Sequence, residues 1–326
     1  MHPVEDPRSI ARVVRRVALH YVGGAEPALD RPAHVRAASG LCWIGPYLAV
    51  VSDDASFVGL VDPVTGATQP ITLPHAPGAR RQFDTARGNK ADKLDLECII
   101  SVGGRLIAFG SDSGLAVRQQ LVVIDNERAA PRVVPLGRLY EALRQPVLGR
   151  GALNLEAAAV WGDAVVLGNR GGDVGDDGRP TRDAIARVPV SALRWLIDDP
   201  AHAPVPPIVW HPLALGQLDD APLHLTDLEL ASGTLVFAAA AERTASAYDD
   251  GLVTGSVVGF VGGSLSGHQV EWSRVVDERG APLVAKLEGI VVNDETGTLL
   301  AAVDADDPDR PSELLELAIE SAWKPR

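Results

Sequence analysis

The chain has 326 residues, 46% of them hydrophobic, a formal charge of −13 and two cysteines. This length allows two ordinary domains or one large all-β unit, and no apolar run nears the roughly 20 residues of a bilayer-spanning helix, so a helical membrane protein is excluded. A pI near 5.0 opposes nucleic acid as a partner, since phosphate backbones require a basic face.

The first residues, "MHPVEDPRSIARVVRR", carry acids and a proline, with no apolar stretch leading to a small-residue cleavage site, so a cytoplasmic protein is expected. "ARVVRRVALHYV" then alternates like a strand. Next comes "ASGLCWIGPYLAVVSDDASFVGLVD", two apolar runs joined by a short turn and followed by a third, with "ATQPITL" as a fourth. Cys42 lies in this unit and Cys98 in the next; two such residues make no disulfide framework and lack zinc spacing, so both read as buried free thiols.

Four later stretches repeat a Leu-Glu pair: "DLEC" at 95–98, "NLEA" at 154–157, "DLEL" at 227–230 and "KLEG" at 286–289, their glutamates 59, 73 and 59 residues apart. Each pair opens an apolar run, a tight turn and a second apolar run. Gly103-Gly104, Gly162-Asp163, Ser232-Gly233 and Thr296-Gly297 are residues that tolerate φ > 0, as short β-hairpin turns require. A third run follows each hairpin ("QQLVVID", "DAIARVPV", "GSVVGFVGG", "SELLELAI"), and a fourth follows the first three, such as "PRVVPL" and "QVEWSRVV".

Regularly repeated short strands of this kind predict an all-β fold, a β-propeller of four-stranded antiparallel blades. Five blades account for the chain: the first carries Ser39 in the glutamate position, and the N-terminal strand supplies the missing fourth strand of the last. Six blades are the alternative, because residues 73–95 and 197–226 are long enough to hold more structure. "LGRLYEALRQ" and "SALRWLIDD" have helical spacing, and "GNRGGDVGDDGRPTRD" reads as a loop in the third blade. No linker divides the chain, so residues 1–326 form one domain.

In a blade, the start of the innermost strand and the end of the next share one face. Glu97, Glu156, Glu229 and Glu288 stand at starts; Asp53, Asp54, Asp112, Asn169, Arg170, Glu242, Arg243, Asp304, Asp306 and Asp307 stand at ends. All are expected around one mouth of a central channel. Gathered carboxylates repel one another, and burial adds to the cost, so something must compensate. Three compensations are open: a hard cation such as Ca²⁺ held by oxygens, internal pairing through Arg170, Arg243 or Lys286, and backbone N–H donors from neighbouring blades. His224 lies near a repeat without occupying it, so zinc fits poorly.

Other signals are weaker. "DADDPDRPSE" lacks the glycine and final glutamate of an EF-hand loop, Ser113 has no nucleophile-elbow pattern, and the glycine pairs at 171–172 and 262–263 read as turns.

The repeated Leu-Glu, "ASG" at the first unit, "LTDLE" and the ending "KLEGIVV…LLAAVDADDPDRPSELLEL" resemble an uncharacterised bacterial β-propeller family related to the phytase-like, or esterase-like, propellers. More distantly the arrangement is similar to the gluconolactonase and paraoxonase class, from which it departs in blade number and in lacking the histidine dyad. That resemblance implies a calcium ion held by Glu97, Asn154, Glu156, Asp227, Glu229 and Glu288. It implies hydrolysis of esters, lactones or phosphate esters, with metal-bound water as nucleophile and a rim carboxylate as general base. The alternative is a non-catalytic module that holds a small ligand or a protein segment, and Arg170 with Arg243 would favour an anionic one.

Overall fold

The computed structural model describes residues 3–126, 129–149, 153–173, 175–176, 178–243, 252–263, 269–305 and 307–320. Its strands are β1 (Val4–Ala18), β2 (His20–Tyr21), β3 (Ala38–Ile44), β4 (Tyr47–Ser52), β5 (Phe57–Val61), β6 (Ala67–Thr72), β7 (Leu96–Val102), β8 (Arg105–Gly110), β9 (Gln120–Ile124), β10 (Arg132–Pro135) and β11 (Leu155–Trp161). They continue as β12 (Ala164–Asn169), β13 (Ala184–Pro189), β14 (Trp210–Pro212), β15 (Gln217–Leu218), β16 (Ala221–Ala231), β17 (Thr234–Arg243), β18 (Leu252–Gly262), β19 (Gln269–Val276), β20 (Leu287–Asn293), β21 (Thr298–Val303) and β22 (Glu313–Glu320). Two helices, α1 (Gly137–Leu143) and α2 (Val190–Asp198), lie where helical spacing predicts them.

The strands pair in sequence order into four-stranded antiparallel units, β3 to β6, β7 to β10, β11 to β14 and β16 to β19. Two of the expected hairpin turns take the paired left-handed conformation a two-residue loop demands, Gly103 and Gly104 with φ of 61° and 81° and Ser232 and Gly233 with 48° and 82°; at Gly162-Asp163 and Thr296-Gly297 only the glycine is left-handed, at 63° and 68°. As predicted, the N-terminal strand joins the last unit, with β1 antiparallel to β22. It also runs parallel to β19, so two units merge into one nine-stranded sheet, which no pattern in the sequence announced.

The first strands β3, β7, β11, β16 and β20 each touch the next, and β20 returns to β3. Alternate residues along them face opposite neighbours. Cys98 and Ile100 pack with Ala158, Val165 and Leu167, while Ile99 packs with Cys42, Ala49 and Val51. Both faces of a strand are therefore buried, which is why these strands read as near-continuous apolar runs. A separate apolar core fills each junction, the last joining Val291 and Leu300 to Leu48 and Phe57. The architecture is that of a β-propeller. Both cysteines are free and buried.

Candidate functional site

The geometry of the mouth follows from a repeated β-bulge. Pairing runs Leu96↔Gly110 then Cys98↔Phe109, Leu155↔Asn169 then Ala157↔Gly168, and Leu287↔Val303 then Gly289↔Ala302. Each register slips at the glutamate, so Glu97, Glu156 and Glu288 are the unmatched residues, and a bulge of this kind re-aims a side chain. The first unit slips between Ala38 and Leu41, at Ser39-Gly40. A Cβ on Gly40 would stand 2.7 Å from the Cα of Cys98, so only glycine permits this approach of neighbouring first strands.

The fourth unit corrects the sequence reading. There the register slips between Leu225 and Asp227, so Thr226, not Glu229, holds the ring position. The ring is Ser39, Glu97, Glu156, Thr226 and Glu288. Glu229 pairs opposite Val236, close to the hairpin turn, and accepts the Leu230 N–H at 2.7 Å. Burial pushes its carboxyl up to about 7. Asp227 follows the bulge and is 2% exposed inside the channel, where it accepts the Ile290 N–H at 2.7 Å. Burial holds it well above the usual carboxylate range, against the pull of backbone donors on Ile290, Leu228 and Ala158. The six calcium ligands implied by resemblance are thus not gathered: Asp227 braces adjoining first strands, and Glu229 lies toward the hairpin end.

Most of the remaining acids have protein partners. Arg170 bridges Glu156 at 3.5 Å and Glu242 at 2.6 Å, and Asn154 Nδ2 donates to Glu156 at 2.8 Å. Lys286 Nζ lies 2.8 Å from Glu288, whose carboxyl is pushed up to about 8 because burial and nearby Glu156 outweigh that ammonium. Lys93, its side chain 9% exposed, places Nζ 2.8 Å from Asp53, 3.3 Å from Asp54 and 2.6 Å from Asp95. Asp95 also receives Arg118 at 2.9 Å and hydroxyls of Ser111 and Ser113; despite burial, Lys93 and Arg118 hold its carboxyl below the usual range. Burial and Asp53 push Asp54 up to about 6 against Lys93.

Glu97 differs. Among the described residues it has no hydrogen bond or ion pair, and burial with Glu156, Asp95 and Asp53 nearby pushes its carboxyl well up. One oxygen each of Asp53, Asp95 and Glu97 lie within 4.8 Å of one another, and Asp53 Oδ1 is buried without a partner.

Several expected rim residues are structural instead. Asn169 is fully buried, its amide bound to the Asn154 N–H and the Arg182 carbonyl. Asp112 is 1% exposed and holds Arg144 through both carboxylate oxygens, tying the end of α1. Asp304 accepts the Ala37 N–H at 3.0 Å and the Ser312 hydroxyl at 3.2 Å, joining the last unit to the first; Asp307 lies beside it in a surface cleft. Arg243 ends β17, but its side chain, like Asp306, lies outside the described residues. Sequence reasoning missed Lys93, Asp95 and Arg118, although Lys93, Asp95 and Glu97 alternate in "DKLDLE", the spacing that sends side chains to one face.

Glutaminyl cyclase of Myxococcus xanthus superposes with a TM-score of 0.50 at 12% identity, covering 98% of each chain. The mannose phosphorylase MPT-4 of Leishmania mexicana gives 0.47 at 14%, covering 94% of this chain and 88% of that one. A GH43_1 enzyme of Xanthomonas citri gives 0.45 at 12%, covering 88% and 87%. The first of these bears on the fold alone. No curated protein matches the chain. The profile of a family of unknown function, DUF6929, matches residues 34–319, nearly the whole of the bulge-and-hairpin repeat, and the chain belongs to that family.

Proposed function

We propose that the chain is a five-bladed propeller whose charged mouth binds a small polar molecule and hydrolyses it, the substrate being an ester, a lactone or a phosphate ester. The closed cycle of five first strands, with a core at each junction, supports the blade count. The observation that carries the function is Glu97, a partly buried carboxyl with no hydrogen bond or ion pair among the described residues, at a ring where Glu156 and Glu288 both have partners. Groups with pKa values displaced by burial and by specific neighbours concentrate where chemistry is done. Glu288, its carboxyl pushed up to about 8, can donate a hydrogen bond to a carbonyl or phosphoryl oxygen, and Glu97, pushed well up too, offers the ligand a second carboxyl. Hydrolysis of this kind agrees with the resemblance to phytase-like and esterase-like propellers.

A divalent cation, Ca²⁺ by the all-oxygen donor set, belongs to the same proposal at Asp53, Asp95 and Glu97. The orphaned Asp53 Oδ1 and the unused Glu97 fit a hard cation, and Lys93 already supplies one positive charge there, so a metal would sit beside the ammonium. When bound, it would supply Lewis acidity toward the scissile group.

The test is turnover of a panel of lactones, aryl esters and phosphate esters by wild type and Glu97→Gln, with melting followed with and without millimolar Ca²⁺. Turnover lost in Glu97→Gln is expected, as is a calcium-dependent stabilisation of about 3 kcal/mol at a hundredfold excess over the dissociation constant. Binding of panel compounds without turnover would favour the second reading, a non-catalytic module, to which the Arg170 clamp on Glu156 and Glu242 lends support. An unchanged melting temperature would remove the cation.

A further inference from the structure

The corrected register of the fourth unit moves a histidine into the mouth. Two residues before each ring position stand Ala37, Asp95, Asn154, His224 and Lys286, and Asp95, Asn154 and Lys286 contribute to the charged network there. With Glu229 taken as the ring residue, His224 falls outside this tier. With Thr226 in the ring, it falls inside.

His224 is held in one orientation. Its Nδ1 lies 2.9 Å from Asp183 Oδ2, and Asp183 is itself fixed because Oδ1 accepts the Gly171 N–H at 3.0 Å and the Leu225 N–H at 2.8 Å. A carboxylate so placed requires a proton on Nδ1, which leaves the Nε2 lone pair free. Among the described residues Nε2 has no hydrogen-bond partner. The ring lies on Gly172, where a Cβ would stand 2.6 Å from Nε2, and Gly172 takes φ of +99°. The glycine pair therefore has a purpose beyond a turn: Gly171 brings its N–H to Asp183, and Gly172 clears the imidazole. The same segment begins with Arg170, the residue that clamps Glu156 and Glu242, and ends with Asp173. The His224 side chain is 17% exposed, so solvent reaches it. Asp183 faces it directly; Asp173 lies within electrostatic reach of it and also of Arg170, Glu242 and Lys286.

We infer that His224 is the general base of the mouth and Asp183 its positioning residue. This rests on the hydrolase reading above. Nε2 takes a proton from water as the water oxygen bonds to the carbonyl carbon or phosphorus. The bond to the leaving oxygen then breaks, and Nε2 returns the proton to that oxygen, so acid and alcohol leave and the imidazole ends neutral.

The experiment combines ¹⁵N NMR of histidine-labelled protein with rates and pH profiles on whichever panel compound the wild type hydrolyses. At neutral pH His224 is expected as the Nδ1–H tautomer. His224→Gln is expected to lower the rate by about a hundredfold or more and to abolish the low-pH limb, with the melting temperature retained. Asp183→Asn keeps an oxygen for the two backbone donors but presents N–H to Nδ1; it should switch the tautomer to Nε2–H and lower the rate with it. An Nε2–H tautomer in the wild type, or a His224→Gln variant with the wild-type rate and profile, overturns the base alone. A wild type inactive on the whole panel overturns the hydrolase reading and the base with it.

Discussion

On the side of the mouth formed by β11, β12, β17 and β20, each carboxyl meets a cation: Arg170 spans Glu156 and Glu242, and Lys286 sits on Glu288. On the side formed by β4 and β7, Lys93 serves three aspartates, one of them shared with Arg118, while Glu97 meets no cation within bonding distance among the described residues. The cations also arrive from different places, Lys286 two residues before its glutamate, Arg170 from the end of a return strand, and Lys93 four residues before Glu97. Equivalent positions in a repeat thus share geometry without sharing chemistry, and among the described residues Glu97 is the ring glutamate left without an ion pair.

This contrast can be broken by removing cations. Arg170→Met should cost about 3–5 kcal/mol in urea unfolding, because Glu156 and Glu242 are left buried without the cation that bridges them. A loss under about 1 kcal/mol would show the clamp to be dispensable. Lys93→Met should cost about 3 kcal/mol for the same reason, and Ca²⁺ should restore more stability to this variant than it adds to wild type, since Asp53 loses its counterion while Asp54 and Asp95 keep only Arg36 and Arg118. Equal calcium responses would place the cation elsewhere.

A pH titration sharpens the contrast. Asp54 and Glu288 are raised in the folded protein, to about 6 and about 8 from ordinary values of 3.8 and 4.5. Between its unfolded and folded values each holds a proton that the unfolded chain has released. Their contribution to stability is therefore full below about pH 4 and is lost as pH rises, through 6 for Asp54 and through 8 for Glu288. Glu288→Gln should flatten the upper part of this fall and leave the variant more stable than wild type by about 1–3 kcal/mol at pH 8. Asp54→Asn should flatten the lower part. The smallest effect belongs to Glu97→Gln, expected within about 1 kcal/mol of wild type and on the stabilising side, since no hydrogen bond or ion pair among the described residues is lost. A substantial destabilisation would mean that Glu97 has a structural partner after all.

Much of the fold was legible. Hairpin turns at Gly103-Gly104 and Ser232-Gly233, the third and fourth strands of each unit, both helices and the pairing of the N-terminal strand with β22 all follow from local periodicity and turn chemistry. Three glutamates of the mouth stand out in the sequence, and pairing through Arg170, Arg243 or Lys286 is one of the three compensations it leaves open. "DLEL" misled because the ring position is defined by a bulge, and the bulge depends on which residue of β17 each residue of β16 meets. A dipeptide repeated by chance three residues downstream looks the same as the repeat. Asn169, Asp112 and Asp304 read as rim groups because an acid or amide at a strand end looks alike in sequence whether it faces solvent, a neighbouring backbone N–H or a guanidinium.

By itself the sequence determined the period, the alternation that buries both faces of the first strands, and the turns, since each depends on residues within a few positions of one another. Tertiary structure alone decided that Thr226 stands in the ring, that Asp227 braces the channel wall, that Lys93 enters the aspartates and that His224 meets Asp183 across 41 residues. The physical reason is range: partners for a buried charge come from whichever strand the closed ring brings alongside, and nothing in the local chain encodes that neighbour.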